Sequence, residues 1–167
     1  VYVDGMFEHH RRIGVGQIEE NNTLHVMDDQ SRIALVRVGR AFTDDLSPAI
    51  QYQLGDHLGS CNVVVSESGN LVNREEFTPY GETSFGSFEN KKYRFSNKER
   101  DEESGLNYHG IRSYIAWICK WQSADPSGPI DTVNLYSYVR NNPFKFLDST
   151  GRFSEETNKS TNSENLS

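Results

Sequence analysis

"AIQYQLGDHLGSCNVVVSESGNLVNREEFTPYGE", residues 49–82, decides the fold class. Polar and apolar residues alternate through three short runs, the pattern of strands with one face buried. Turn-forming clusters separate the runs. The first strand ends at Asp56–Gly59, "CNVVVS" follows, "ESGN" turns, and "LVNREEF" returns. Gly and Asn supply the left-handed backbone a tight hairpin needs, so a hairpin is expected at Ser68–Asn70. Pro79-Tyr80-Gly81 then breaks the sheet.

The same grammar extends outward in both directions. "VYVDGMFEHHRR" alternates around an Asp-Gly, and "SRIALVRVGRAF" sets β-branched residues between arginines. Downstream, "KKYRFSNKERDEESGLNYHGIRSYIAWICKW" holds two aromatic strands around a charged turn, read as a solvated loop. "AWICKW" is readable as short helix or strand. "DTVNLYSYVRNNPF" reads as a short helix that stops at Asn142-Pro143. No long amphipathic helix is present, so the class is mainly β: consecutive antiparallel hairpins with at most short helices. Residues 152–167, "RFSEETNKSTNSENLS", carry too little apolar surface to offset their ordering entropy, and are expected to be a disordered tail.

Composition narrows the functions. Net charge is −7, which argues against nucleic acid as a main partner, because phosphate binding needs a basic surface. No apolar run approaches the roughly 20 residues of a membrane span. Two cysteines, Cys61 and Cys119, are too few for a disulfide framework or a four-ligand zinc site. His9-His10 lacks partners at ligand spacing, so neither metal nor other cofactor is expected. Asp56-His57 reads as a hairpin corner. Cys119 with His109 hints faintly at a thiol nucleophile, and a buried structural thiol is favoured. The chain opens on Val in what reads as mid-strand, which suggests a segment of something longer; a processed N-terminus is the other reading.

Residues 123–151, "SADPSGPIDTVNLYSYVRNNPFKFLDSTG", pose the chemical question. Asp125 and Asp148 stand at its two ends. Each is a good turn-opener, and that alone explains them in most proteins. The other reading is that the fold brings them together. Two close carboxylates cannot both ionise cheaply, so such a pair holds one shared proton and can act as base and acid.

Four phrases in succession carry a resemblance: "LGDHLGS", "GNLVNREEFTPYGE", "YRFSNKERDEESGLNYHGIRSY" and "SADPSG…NLYSYVRNNPFKFLD". From about Gln51 to Gly151 the chain resembles the C-terminal core of Rhs/YD-repeat proteins, a family that includes bacterial polymorphic toxins and the C components of insecticidal toxin complexes. The resemblance implies YD-repeat-like strands over 1–50, an Rhs repeat-associated core over 51–151, and the tail beyond. It implies a hollow β-shell, closed at one end by this core, around a toxin cargo. The implied partners are the upstream shell of the same polypeptide and a caged C-terminal toxin or toxin-complex subunit. The implied location is secreted or at a bacterial cell surface.

In many members the core is also an aspartyl autoprotease. The family's Arg falls on Arg112 in "GIRSY", its first catalytic Asp on Asp125 in "DPSG", and its second on Asp148 in "DSTG", without gaps. Ser149 replaces the usual Pro, and Arg152 replaces the Leu after which the chain is cut, so the implied bond is Arg152–Phe153. A cationic Arg152 in a Leu-shaped pocket is expected to slow cutting through desolvation. Three readings stand: a self-cleaving protease using Arg112, Asp125 and Asp148; a purely structural plug with a decayed protease site; and a carbohydrate or cell-surface binding β-module.

Overall fold

The structure, a computed structural model, describes residues 2–3, 6–13, 17–28, 31–86 and 91–157. The chain forms two compact units. One comprises Val1–Thr78 and Thr83–Asn97, the other Pro79–Glu82 and Lys98–Ser167.

The first unit is an eight-stranded antiparallel meander in which sequence neighbours pair throughout. Its strands are β1 (Tyr2–Val3), β2 (Phe7–Ile13), β3 (Ile18–Asp28), β4 (Ser31–Val38), β5 (Ile50–Gly55), β6 (Cys61–Ser66), β7 (Leu71–Phe77) and β8 (Thr83–Gly86). The hairpin expected at Ser68–Asn70 joins β6 to β7. Ser66 N–H bonds Asn70 O at 2.9 Å, and Gly69 takes φ 80°. Asp56 does form a hairpin corner, its Oδ1 accepting the N–H groups of Leu58 and Ser60 at 2.9 Å each. The Asp4-Gly5 turn lies outside the described residues. The division expected at residue 50 has no counterpart in the sheet. β5 pairs with β4 across it, Val36 opposite Ile50, and the unit runs on to Asn97.

Cross-strand register places Glu8, His25, Gln53, Val64, Asn73 and Glu75 on one face. All are buried, although most are polar. The segment Lys91–Asn97 supplies their partners. Lys91 and Arg94 both bond Glu75, Lys91 Nζ at 3.1 Å and Arg94 Nε at 3.0 Å. Lys92 bonds Glu8, and Tyr93 O–H reaches it at 3.4 Å. Burial alone would raise the Glu75 carboxyl, but Arg94, Thr83 and Lys91 bring it below the usual range.

The second unit contains a four-stranded sheet in the order β12-β11-β10-β9. These are β9 (Glu99–Arg100), β10 (Asn107–Tyr108), β11 (Ser113–Ile115) and β12 (Lys120–Trp121). Its core is aromatic, with Tyr114, Tyr138 and Trp121 at 2% exposure or less. Tyr114 and Tyr138 stack at 4.2 Å. "AWICKW" resolves into both alternatives, a 3-10 turn at Ala116–Ile118 followed by β12. A second 3-10 turn, Val139–Asn141, ends just before Asn142-Pro143. Phe146–Leu147 (β13) pairs with Glu155–Glu156 (β14). The expected disordered tail therefore begins with a paired strand, because backbone partners supply what its side chains lack. Residues 158–167 lie outside the described residues. Among the described residues no helix is long and apolar enough to cross a membrane.

Candidate active site

The turn between β10 and β11, His109-Gly110-Ile111-Arg112, closes with a 3.0 Å bond from His109 N–H to Arg112 O. Gly110 at φ 90° makes that reversal available. The turn aims Arg112 inward, where it is 4% exposed and stacks over Trp121 at 4.1 Å.

Arg112 brings the two distant acids together. Its NH1 lies 2.9 Å from Asp125 Oδ2, and its NH2 lies 3.2 Å from Asp148 Oδ2. Its Nε donates to Gly151 O at 2.5 Å. One planar fork thus fixes both carboxylates and the backbone three residues past the second. Among the described residues no hydrogen bond joins Asp125 to Asp148 directly, so the guanidinium is the bridge.

Both aspartates also open turns, through the oxygen that Arg112 does not use. Asp125 Oδ1 accepts Ser127 N–H at 2.8 Å, and Gly128 N–H returns to Asp125 O at 3.1 Å. Asp148 Oδ1 accepts the N–H groups of Gly151 at 2.7 Å, Arg152 at 3.1 Å and Thr150 at 3.2 Å. Asp148 is 2% exposed. Burial raises its carboxyl above the usual range, against the pull of Gly151 N–H and the Arg112 charge. The pocket lined by Arg112, Trp121, Asp125, Asp131, Leu135 and Asp148 has a volume of about 10 Å³, space for about one water molecule.

Of the two implied cleavage residues, Arg152 reaches a residue lining this pocket through its backbone. Arg152 N–H is bonded to Asp148, while its side chain is exposed, as is that of Phe153. In this structure the Arg152 side chain is not desolvated.

The sequence reading weighed His109 only beside Cys119, and it missed Asp131. His109 is fully buried among Tyr114, Trp121 and Tyr138. Its Nδ1 lies 2.8 Å from Asp148 O, so Nδ1 carries the proton and donates. Burial drives its pKa down to about 3, which keeps the ring neutral. It serves the acid loop and has no bond to Cys119. Asp131 lines the same pocket and holds Ser154. A histidine two residues after the Asn of a strand start, and an Asp in a Pro-Ile-Asp loop, carry no local signal of either role. Among the described residues no group of three or more His, Cys, Asp or Glu side chains could hold a metal ion.

A continuous hairpin meander, followed by an aromatic-packed core with an Arg–Asp–Asp constellation, defines a segment of Rhs/YD-repeat type. The chain is similar to that family, and within it to the C components of toxin complexes. No protein-family model matches it. It is 39% identical over 115 residues to toxin subunit YenC1 of Yersinia entomophaga, covering 65% of this chain and 12% of that one. It is 41% identical over 98 residues to toxin subunit YenC2 of the same organism, covering 55% and 10%. A crystal structure of TcdB2-TccC3-TEV superposes with a TM-score of 0.79 at 31% identity, over 90% of this chain and 7% of that one. The Photorhabdus luminescens Tc holotoxin pore matches with a TM-score of 0.71 at 31% identity, over 81% and 7%. The chain spans about a tenth of the length of these curated relatives.

Proposed function

We propose that the chain is the closing segment of an Rhs-type shell in a secreted toxin complex, and that it cuts itself at Arg152–Phe153. The upstream shell of the same polypeptide and the other toxin-complex subunits are its partners, and the segment after the cut leads to the caged cargo. The observation that carries the chemistry is the single guanidinium of Arg112 bonded to Oδ2 of both acids.

In this reading Asp125 takes a proton from a water held in the pocket, and the water oxygen adds to the Arg152 carbonyl carbon. Asp148, which burial shifts toward the neutral form, is assigned in this reading the proton that goes to the carbonyl oxygen. The tetrahedral intermediate collapses with protonation of the Phe153 nitrogen. The C–N bond breaks, leaving a carboxylate on Arg152 and an amine on Phe153. Arg112 holds both acids in place and limits the charge on the pair.

Intact mass over time tests this. The wild-type chain is expected to lose the peptide that begins at Phe153. Asp125→Asn and Asp148→Asn are each expected to slow the loss by about 10³-fold or more. A wild-type chain that stays whole across pH 4–8 over days contradicts the protease. The structural reading draws on one observation of its own: each acid already opens a turn through Oδ1, which a plug without activity would retain.

A further inference from the structure

The residues just past the proposed cut are held at several independent points. Ser154 gives both its N–H (2.7 Å) and its O–H (2.6 Å) to Asp131 Oδ2. Arg140 closes the ring, donating from NH2 to Asp131 Oδ1 at 2.9 Å and from Nε to Ser154 Oγ at 3.0 Å. Directly after Ser154, Glu155 and Glu156 add as a strand to Leu147 and Phe146. Thr157 then bonds Lys145 O through N–H at 3.0 Å and through Oγ1 at 3.1 Å. Lys145 Nζ meets Glu156 at 3.1 Å.

The backbone that presents this clamp is strained. Val139, Arg140 and Asn141 have φ of 40°, 54° and 58°. Left-handed backbone is disfavoured for a residue that is neither Gly nor Asn, because Cβ crowds the following carbonyl oxygen. In that backbone Arg140 reaches Asp131 and Ser154, with its guanidinium over the Phe146 ring at 5.1 Å.

We propose that Asp131, Arg140 and the β13 edge form a peptide-binding subsite for the segment after the cut, and that it requires a hydroxyl residue at position 154. The chemistry sets the requirement. One carboxylate oxygen takes two donors from a single residue, and that residue's oxygen must also accept from Arg140. Serine and threonine alone carry all three groups at that reach. Before the cut, Asp148 holds Arg152 N–H on one side and Asp131 holds Ser154 on the other, so the Arg152–Phe153 peptide is anchored from both ends. After the cut, the same bonds keep the released end docked by strand addition. Its place next to a cut rests on the proposed protease, but the clamp itself does not.

Amide hydrogen exchange on the full chain carrying Asp125→Asn, which stays uncut, measures the clamp alone. Ser154 and Thr157 amides are expected to be protected. Adding Asp131→Ala is expected to speed Ser154 exchange by about tenfold or more while Thr157 stays slow. Ser154→Ala is expected to speed exchange across 154–156 and Ser154→Thr to keep it slow; an Ala variant as protected as the wild type overturns the hydroxyl requirement. Free-peptide exchange at Ser154, or no response to Asp131→Ala, overturns the subsite whether or not the chain cuts itself. In the self-cleaving wild type the fragment beginning at Phe153 is expected to co-elute with the core on gel filtration, and Asp131→Ala to release it. A wild-type fragment that elutes separately also overturns it.

Discussion

At the scale of single residues, the site is a division of labour between oxygen atoms. Asp125 and Asp148 each spend Oδ1 on a local turn and Oδ2 on Arg112. Turn chemistry, which is legible in "DPSG" and "DSTG", therefore does not compete with the distant pairing. Arg112→Lys keeps a charge but loses the fork, since one ammonium cannot reproduce the three fixed donor directions. It is expected to cost about 2 kcal/mol in urea unfolding and to slow cutting at least about tenfold by intact mass. Gly151→Ala probes the same loop. Its φ is +77°, and a Cβ there would stand 3.0 Å from His109 O and 3.1 Å from Arg112 N, both backbone atoms that yield little. A loss of about 2 kcal/mol is expected, read as a lower melting temperature. His109 and Asp131 were not legible because their partners lie 39 and 23 residues away.

At the scale of elements, alternation gave the strands and their turns but not which face is covered. A hydrophobic reading would bury Leu24, Tyr52 and Leu54, yet these are 41%, 44% and 56% exposed. The buried face instead holds Glu8, His25, Gln53, Asn73 and Glu75, and it is made viable by Lys91–Asn97, a segment whose cations sit opposite the acids. Only a contact map shows that match, because nothing within a strand announces its cover. Glu75 has a folded pKa below its unfolded value of 4.5. Its stabilising contribution is thus complete above pH 4.5 and is lost as pH falls through the folded value. Urea unfolding is expected to show declining stability below pH 4.5. Glu75→Gln is expected to lower stability at pH 7 by about 3 kcal/mol, leaving Lys91 and Arg94 underpaired, and to shrink the difference between pH 7 and pH 3. Equal pH slopes in the variant and the wild type would contradict this.

At the scale of the molecule, the chain is two units that each pack their own core. The meander ends on short strands, and the β2 edge from His10 to Ile13 has no paired strand on its outer side among the described residues. An open edge that ends at the exposed Ile13–Ile18 pair is a template for another strand. Light scattering at rising concentration is expected to show self-association of the isolated chain. A monodisperse monomer with cooperative melting would contradict it. The boundary between the units was not legible at residue 50, because a sheet's extent is set by pairing and not by a change of composition.

The central claim is that Arg112 gathers two acids, distant in sequence, onto one guanidinium. Carboxyl ¹³C NMR of Asp148 against pH tests it most directly. The account predicts a midpoint above the ordinary 3.8, and a lower midpoint in Asp125→Asn, where one negative charge is gone and Arg112 is free to favour ionised Asp148. An Asp148 midpoint unmoved by Asp125→Asn would contradict it.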